Sequence, residues 1–318
     1  MPLPMGRCYL SVAAKFNRAW WIMRSEALGG AGNLEEKTLL AAPPHVEILS
    51  TAEAINFPDQ WYEIMDERHF WMVWRTRAFL QQCQALSIST DAAYSVLEIG
   101  CGYCVLRRML EAATRWKIDA VDLNAGALFH SAPGRGRTAL YNIHDRAPSL
   151  AASYDAIILF DVIEHIEDLP EFLSSSLYHL KPGGYVFINV PALQSLYSKF
   201  DVAVGHLRRY TKATLEAELA KAGVRKIDDR YWGLTMLPVL ALRKLLMALS
   251  SDNAGMGTTV VQRGVQPPGR LADAILTGAM RFETRLIANA PIGTSLLYAG
   301  KAGSSPASLR PATTGPAN

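Results

Sequence analysis

Three short segments carry most of the side chains able to do chemistry. Asp161, Glu164 and His165 fall within five residues. Two carboxylates and an imidazole this close can hold a divalent cation or move a proton. Further on, Asp201 to Tyr210 reads Asp-Val-Ala-Val-Gly-His-Leu-Arg-Arg-Tyr. His206 can take a proton from a hydroxyl near neutral pH. Arg208 or Arg209 can clasp an acidic group through two parallel hydrogen bonds. The same arginines and Tyr210 can equally pair internally and fix a turn. The third segment is Gly100-Cys101-Gly102. Small residues let the backbone approach a ligand, and a helix starting just beyond offers unpaired N–H groups.

The surroundings of that turn narrow the ligand. Val105 stands where a dinucleotide fingerprint needs glycine, so a pyrophosphate site is not supported. Glu98, just before the turn, would repel a phosphate and suits a cationic group. Asp122, twenty residues beyond Gly102, is placed to accept hydrogen bonds from both hydroxyls of a ribose. Asp145 can accept from an adenine amino group. Cys101 and Cys104 form a C-x-x-C with no second pair, which reads as packing in a turn rather than a zinc or redox site.

These side chains need a frame. Apolar residues from Trp61 to Leu80 recur at helical spacing, so residues 61–86 read as a helix. From there short apolar runs alternate with helical segments. Strands are expected at 96–99, 118–121, 140–143, 154–160, 185–190 and 224–232, with a last one at 294–301. Helices are expected at 104–114, 168–180 and 211–222, and Lys181-Pro182-Gly183-Gly184 reads as a helix stop and turn. Such alternation builds βαβ units and a parallel sheet.

In this order and spacing the segments resemble class I S-adenosylmethionine-dependent methyltransferases. The resemblance rests on Val96-Leu97-Glu98-Ile99-Gly100-Cys101-Gly102, Ala120-Val121-Asp122, Tyr154 through Ile166, and Leu180 through Gly184. It covers residues 61–231 and the last strand. It implies an α/β, Rossmann-like sheet of seven strands, the last antiparallel, with helices on both faces. It also implies S-adenosylmethionine as cofactor and S-adenosylhomocysteine as product. Glu98, Gly100, Cys101 and Gly102 would face the methionine part, Asp122 the ribose, Leu123 and Asp145 the adenine, and Phe160 the sulfonium. Cys104 replaces the family's third glycine. Gly-His-Leu-Arg-Arg-Tyr together with His69-Phe70-Trp71 resembles a subgroup acting on small or lipid-pathway molecules. That places Trp71, Arg208, Arg209 and Tyr210 on the acceptor side, although the aromatic cluster at 61–74 also suits lid or core packing. The expected reaction is in-line displacement at the methyl group by an acceptor oxygen, with Asp161, His165 and His206 as catalytic candidates and a histidine as base. Asp161, Glu164 and His165 are the candidate metal ligands, on a reading in which no metal is needed. The alternatives are a non-catalytic cofactor-binding scaffold or partner-activating subunit of the same fold, and a nicotinamide-dependent oxidoreductase, which Val105 disfavours.

Composition bounds the rest. The net charge of +3 over 318 residues gives no sign of nucleic-acid binding, and four scattered cysteines fit a reducing, cytoplasmic setting. Residues 1–60 read as an N-terminal arm, basic and acid-free over its first 25 residues in the manner of a targeting segment. Residues 61–303 read as the methyltransferase domain, with 232–290 an inserted helical cap and 304–318 a disordered tail. Half of the residues are hydrophobic, and much of the surplus lies in 232–250 and in the tryptophan-rich helix. The segment 232–250 suits a lid over an apolar or lipid-like acceptor, or an interfacial helix touching a membrane. Six Arg/Lys against three Asp/Glu across 232–290 lean weakly toward an anionic surface.

Overall fold

The computed structural model describes residues 42–51, 66–249, 270–287 and 289–303. The basic N-terminal stretch, Trp61, the 304–318 tail and the middle of the 232–290 segment lie outside the described residues.

The core is a single eight-stranded sheet. Its strands are β1 (Val46–Ile48), β2 (Ser95–Ile99), β3 (Lys117–Asp122), β4 (Thr138–Leu140), β5 (Tyr154–Phe160), β6 (Leu180–Pro191), β7 (Val224–Trp232) and β8 (Ser295–Ala302). Their order is β1-β4-β3-β2-β5-β6-β8-β7. Only β8 runs antiparallel, pairing with β6 on one side and β7 on the other. The sheet therefore has one strand more than the expected seven. The extra strand is β1, which lies in the stretch read as an arm and pairs in parallel with β4. Three residues are too few to leave a periodic signal.

The central strands are near-continuous apolar runs, as a sheet covered on both faces requires. Ile157, Ile158, Leu159, Val186 and Ile188 are fully buried. One face is covered by α1 (Phe70–Ala85) and α2 (Val105–Ala113), where Trp74, Phe79 and Leu110 pack on Val96, Ile158 and Phe187. The other carries α4 (Leu169–Tyr178) and α6 (Lys212–Lys221), with Phe172, Leu173, Leu215 and Leu219 in its core. Short helices α3 (Ala125–Phe129) and α5 (Lys199–Ala203) follow β3 and β6. Two helices, α7 (Leu237–Leu249) and α8 (Arg270–Leu286), fall in the expected cap segment.

Three boundaries differ from the sequence reading. Helix α1 starts at Phe70, where His69 accepts a hydrogen bond from the Trp71 N–H as N-cap. The Lys181–Gly184 turn lies inside β6, with Gly183 at φ +73° and a register shift against β5 between Tyr154 and Ala156. Strand β4 ends at Leu140, so Tyr141 and Ile143 form the turn beyond it.

The chain reverses its winding direction between β2 and β5. Ligands of open α/β sheets bind at such a switch point, outside the carboxyl ends of the strands. Asp122 ends β3, Phe160 ends β5, and Gly100 follows β2 there.

Candidate active site

Two cavities open side by side at this edge and share Asp161. The first, of about 310 Å³, lies over the β2–α2 turn and is lined by Glu98, Gly100, Cys101, Gly102, Asp122, Leu123 and Phe160. The turn needs its glycine: Gly100 has φ +76°, and a Cβ there would come within 2.6 Å of Val162 Cγ2. Cys104, at the N-cap of α2, has φ +56°. The left-handed region is costly for a side-chain-bearing residue and is where glycine fits best. Cys104 Sγ lies 3.5 Å from Cys101 Sγ, both side chains buried.

Asp122 braces the turn. One carboxylate oxygen accepts from the Gly102 N–H (2.7 Å) and the other from the Asn124 N–H (2.8 Å). Burial raises its pKa, against these hydrogen bonds. Glu98 is 4% exposed and its Oε2 has no hydrogen-bond partner. Burial pushes its pKa to about 7, although Arg107 and Arg75 pull the other way. A buried acceptor without a donor is costly, and a cationic group in the cavity would satisfy it.

The remaining walls include residues with no obvious signal in the sequence. Arg75 of α1 ion-pairs with Asp161 and lies over the Phe160 ring, 5.5 Å from its centroid. Asp161 has φ +57° and accepts from Asn189 Nδ2 at 2.7 Å. Asn189 in turn accepts from Trp232 Nε1 at 2.8 Å. Tyr141 is held by His179, whose Nδ1 donates to the Ser175 carbonyl (2.8 Å), leaving Nε2 to face the Tyr141 hydroxyl (2.8 Å). Asp145 is not among the residues lining this cavity. Its carboxylate accepts from the Ser50 hydroxyl behind β1 instead, so its adenine role has no geometric support.

The second cavity, of about 130 Å³, is walled by Phe70, Trp71, Phe200, Met236 and Leu240, with His206, Glu164, Arg209 and Arg243 at its polar end. His206 is tightly oriented. Its Nδ1 pairs with Asp201 Oδ1 at 2.9 Å, and Asp201 also accepts from Arg209 Nε at 2.7 Å. Burial opposes ionisation of Asp201, but His206 and Arg209 outweigh it and hold its pKa near about 2. An ionised Asp201 keeps the imidazole proton on Nδ1 and turns Nε2 toward Glu164 Oε1, 3.9 Å away. Glu164 is fully buried and neither of its oxygens has a hydrogen-bond partner. Burial, then Asp161, raises its pKa well above the carboxylate range.

His165 lines the first cavity, not the second. Its Nδ1 donates to the Gly205 carbonyl at 3.0 Å, and burial with the nearby His206 lowers its pKa to about 4. Its ring meets that of His206 edge-on at 4.9 Å. Among the described residues, Glu164, His165 and His206 place one ligand atom each within 4.8 Å of one another. Asp161, the third candidate ligand read from the sequence, is not in that trio, and Arg75 and Asn189 engage its carboxylate.

Two of the expected acceptor-binding residues are occupied elsewhere. Arg208 donates to the Ile166 carbonyl at 2.8 Å, and Tyr210 is buried with its hydroxyl on the Ile163 carbonyl. Arg209 lines the cavity, but its Nε holds Asp201 and its Nη1 the Ala192 carbonyl. The Gly-His-Leu-Arg-Arg-Tyr segment thus straps the loop after β6 to the loop after β5 and delivers His206 and Arg209 to the cavity. Asp201 is the partner that sequence reasoning passed over, although it opens the same segment. Trp71 lines the second cavity, packed on Trp232 with centroids 4.6 Å apart.

Residues 66–228 match the family described as the methyltransferase domain. That is just over half of the chain, and the chain belongs to this family. It is an S-adenosylmethionine-dependent methyltransferase: the first cavity offers the cationic ligand a buried unpartnered carboxylate, a glycine where the backbone must come close, and an acid at the end of β3. No curated protein matches the chain. Similar solved structures include an S-adenosylmethionine-dependent methyltransferase from Archaeoglobus fulgidus. It is 18% identical, with 71% of this chain and 94% of that one covered, at a TM-score of 0.44. A 1,6-didemethyltoxoflavin-N1-methyltransferase from Burkholderia thailandensis, with its substrate and S-adenosylhomocysteine bound, is 12% identical, with 95% and 93% covered and a TM-score of 0.43. Phosphoethanolamine N-methyltransferase 2 from Haemonchus contortus, bound to S-adenosylmethionine, is 17% identical, with 67% and 49% covered and a TM-score of 0.42.

Proposed function

We propose that this methyltransferase modifies an oxygen of a small, largely apolar acceptor, and that His206 takes the acceptor's proton. The observation that carries the reading is the Asp201–His206 pair, set at a cavity beside the cofactor cavity whose walls include Phe70, Trp71, Phe200, Met236 and Leu240. Bound S-adenosylmethionine supplies an electrophilic methyl group on a sulfonium. A hydroxyl must shed its proton as it becomes an ether, so a base within reach raises its nucleophilicity.

The chain's residues divide this work. Glu98 and Asp122 hold and orient the cofactor, and Phe160 with Arg75 closes the wall between the cavities. Phe70, Trp71, Phe200 and Leu240 exclude water and bury the acceptor's apolar body. At the polar end, His206 Nε2 accepts the hydroxyl proton and Asp201 stabilises the imidazolium that results. Glu164, buried without a partner, offers its hydrogen-bonding capacity to the acceptor's polar head. His165, with its lowered pKa, stays neutral between the cavities.

A second reading is favoured by one observation, the close approach of Glu164, His165 and His206. There the trio would hold a divalent cation and the hydroxyl would be activated by coordination. Activity after exhaustive chelation separates the two: it persists if His206 is the base, and it disappears and returns with added Mg²⁺ or Mn²⁺ if the trio is a metal site. The oxygen assignment is tested by presenting apolar hydroxyl compounds beside the matching amines and following labelled methyl. Product confined to the hydroxyl series is expected, and product confined to the amines would refute the oxygen assignment.

A further inference from the structure

The two cap helices present an outward surface that the proposed catalysis does not use. Helix α7 has two sides. Leu240 and Arg243 line the acceptor cavity, and Lys244 donates to the Ser195 carbonyl. The opposite side carries Val239, Leu242 and Leu245, which are 46–57% exposed. With Pro238 and Ala241 these are all of the exposed residues described in α7, and every one is apolar. On α8, Ile275, Phe282 and Leu286 are 55–68% exposed. Their spacing aligns them in one stripe along the helix. Scattered exposed apolar residues are ordinary, but two aligned sets on helices that both contact the 234–236 turn are not.

Charge on α8 selects the partner. Arg281 and Arg285 are exposed and lie on the helix beside the apolar stripe. No acid is among the exposed residues described in α8. Glu283 is instead turned inward and buried, where it accepts from the N–H groups of Gly233, Leu234 and Thr235 and from the Thr235 hydroxyl. Those three residues begin the turn that leads into α7. One carboxylate therefore ties the two helices together and is removed from the outer face. Gln81 of α1 also donates to the Thr284 carbonyl and fixes α8 to the body.

We infer that the outer faces of α7 and α8 dock onto an anionic lipid bilayer. The apolar stripes enter the interface and Arg281 and Arg285 meet the lipid head groups, the pattern of a helix lying in a membrane surface. A second copy of this chain fits less well, because an antiparallel two-fold pairing of α8 brings the same arginine rows together. Among the described residues no helix is long and apolar enough to cross a membrane. The surface stands apart from the identity of the acceptor. It does place the α7 wall of the acceptor cavity against the lipid phase.

Co-sedimentation of the full chain with vesicles tests this. Vesicles of phosphatidylcholine with phosphatidylserine should carry the protein down, and phosphatidylcholine alone should carry at least tenfold less. Arg281→Glu with Arg285→Glu should reduce binding at least tenfold, and so should Leu242→Ser with Phe282→Ser and Leu286→Ser. Both sets should leave S-adenosylhomocysteine affinity unchanged, which shows that the variants are folded. Equal binding to both vesicle types, binding that survives both variant sets, or no binding at all would overturn the inference. So would a dimer in sedimentation velocity that the apolar variants abolish, which would reassign the surface to self-association. Methyl transfer to a detergent-dispersed acceptor is a separate readout, unmoved by either variant set, so failure here leaves the catalytic reading untouched.

Discussion

Glu98 and Glu164 are both carboxyls buried without full hydrogen bonding, and each is paired with an opportunity. Glu98 has a pKa near about 7 because burial penalises its charge. A carboxyl that binds its proton more tightly in the folded than in the unfolded state destabilises the fold as pH rises. The loss accumulates between the ordinary carboxylate range and about pH 7. The ligand-free protein should therefore lose about 2–3 kcal/mol of stability from pH 5 to pH 8, read as a fall in melting temperature. Glu98→Gln should flatten that slope while weakening S-adenosylhomocysteine, whose ammonium loses its counter-charge. A slope unchanged by Glu98→Gln would show that other groups set it. Asp122→Ala removes the acid at the end of β3 and two turn-bracing bonds. It should weaken S-adenosylhomocysteine by about 2 kcal/mol, roughly thirtyfold, by calorimetry.

At the scale of elements, the turn after β2 and the anchor of the cap make the sharpest statements. Gly100→Ala pushes a methyl group into Val162 and demands a left-handed backbone, so it should cost cofactor binding with little change in the far half of the sheet. Glu283→Ala leaves three N–H groups at the start of the cap without their acceptor. A loss of roughly 3 kcal/mol in denaturant unfolding is expected. An unchanged midpoint would mean that the cap is held mainly by its apolar contacts. The elements were legible in the sequence in proportion to their length and pattern. Strand β5 begins and ends where its apolar run predicts, and β7 spans 224–232 as read after the turn at Gly223. Strand β1 escapes because three residues carry no period. The geometry of the candidate site was legible where a residue type meets a fixed place in the fold, as with Glu98, Gly100 and Asp122, which line one cavity. It was not where a side chain chooses among neighbours. Nothing in the order Gly-His-Leu-Arg-Arg-Tyr says that Arg208 and Tyr210 turn to backbone carbonyls of the β5 loop while His206 turns to the cavity. Nor could Asp145 be seen to have Ser50 as its partner, because that contact spans a long stretch of chain.

At the scale of the molecule, the surplus apolar content resolves into distinct places. Part is the tryptophan-rich face of α1, where Trp74 and Phe79 are fully buried against the sheet. Phe79→Ala should cost about 3–5 kcal/mol. Part is the cap, which lines the acceptor cavity on one side and faces outward on the other. The sheet edge sets the two cavities side by side, meeting at Asp161, with His206 lining one and Glu98 and Asp122 the other. This separation makes the central claim testable without ambiguity. The measurement is labelled-methyl transfer to a hydroxylated apolar acceptor by the wild type and by His206→Ala, with S-adenosylhomocysteine affinity followed in parallel. A fall of about a hundredfold or more in transfer, with affinity for S-adenosylhomocysteine unchanged, is predicted. Transfer at the wild-type rate by His206→Ala would contradict the assignment of the base and with it the proposed reaction.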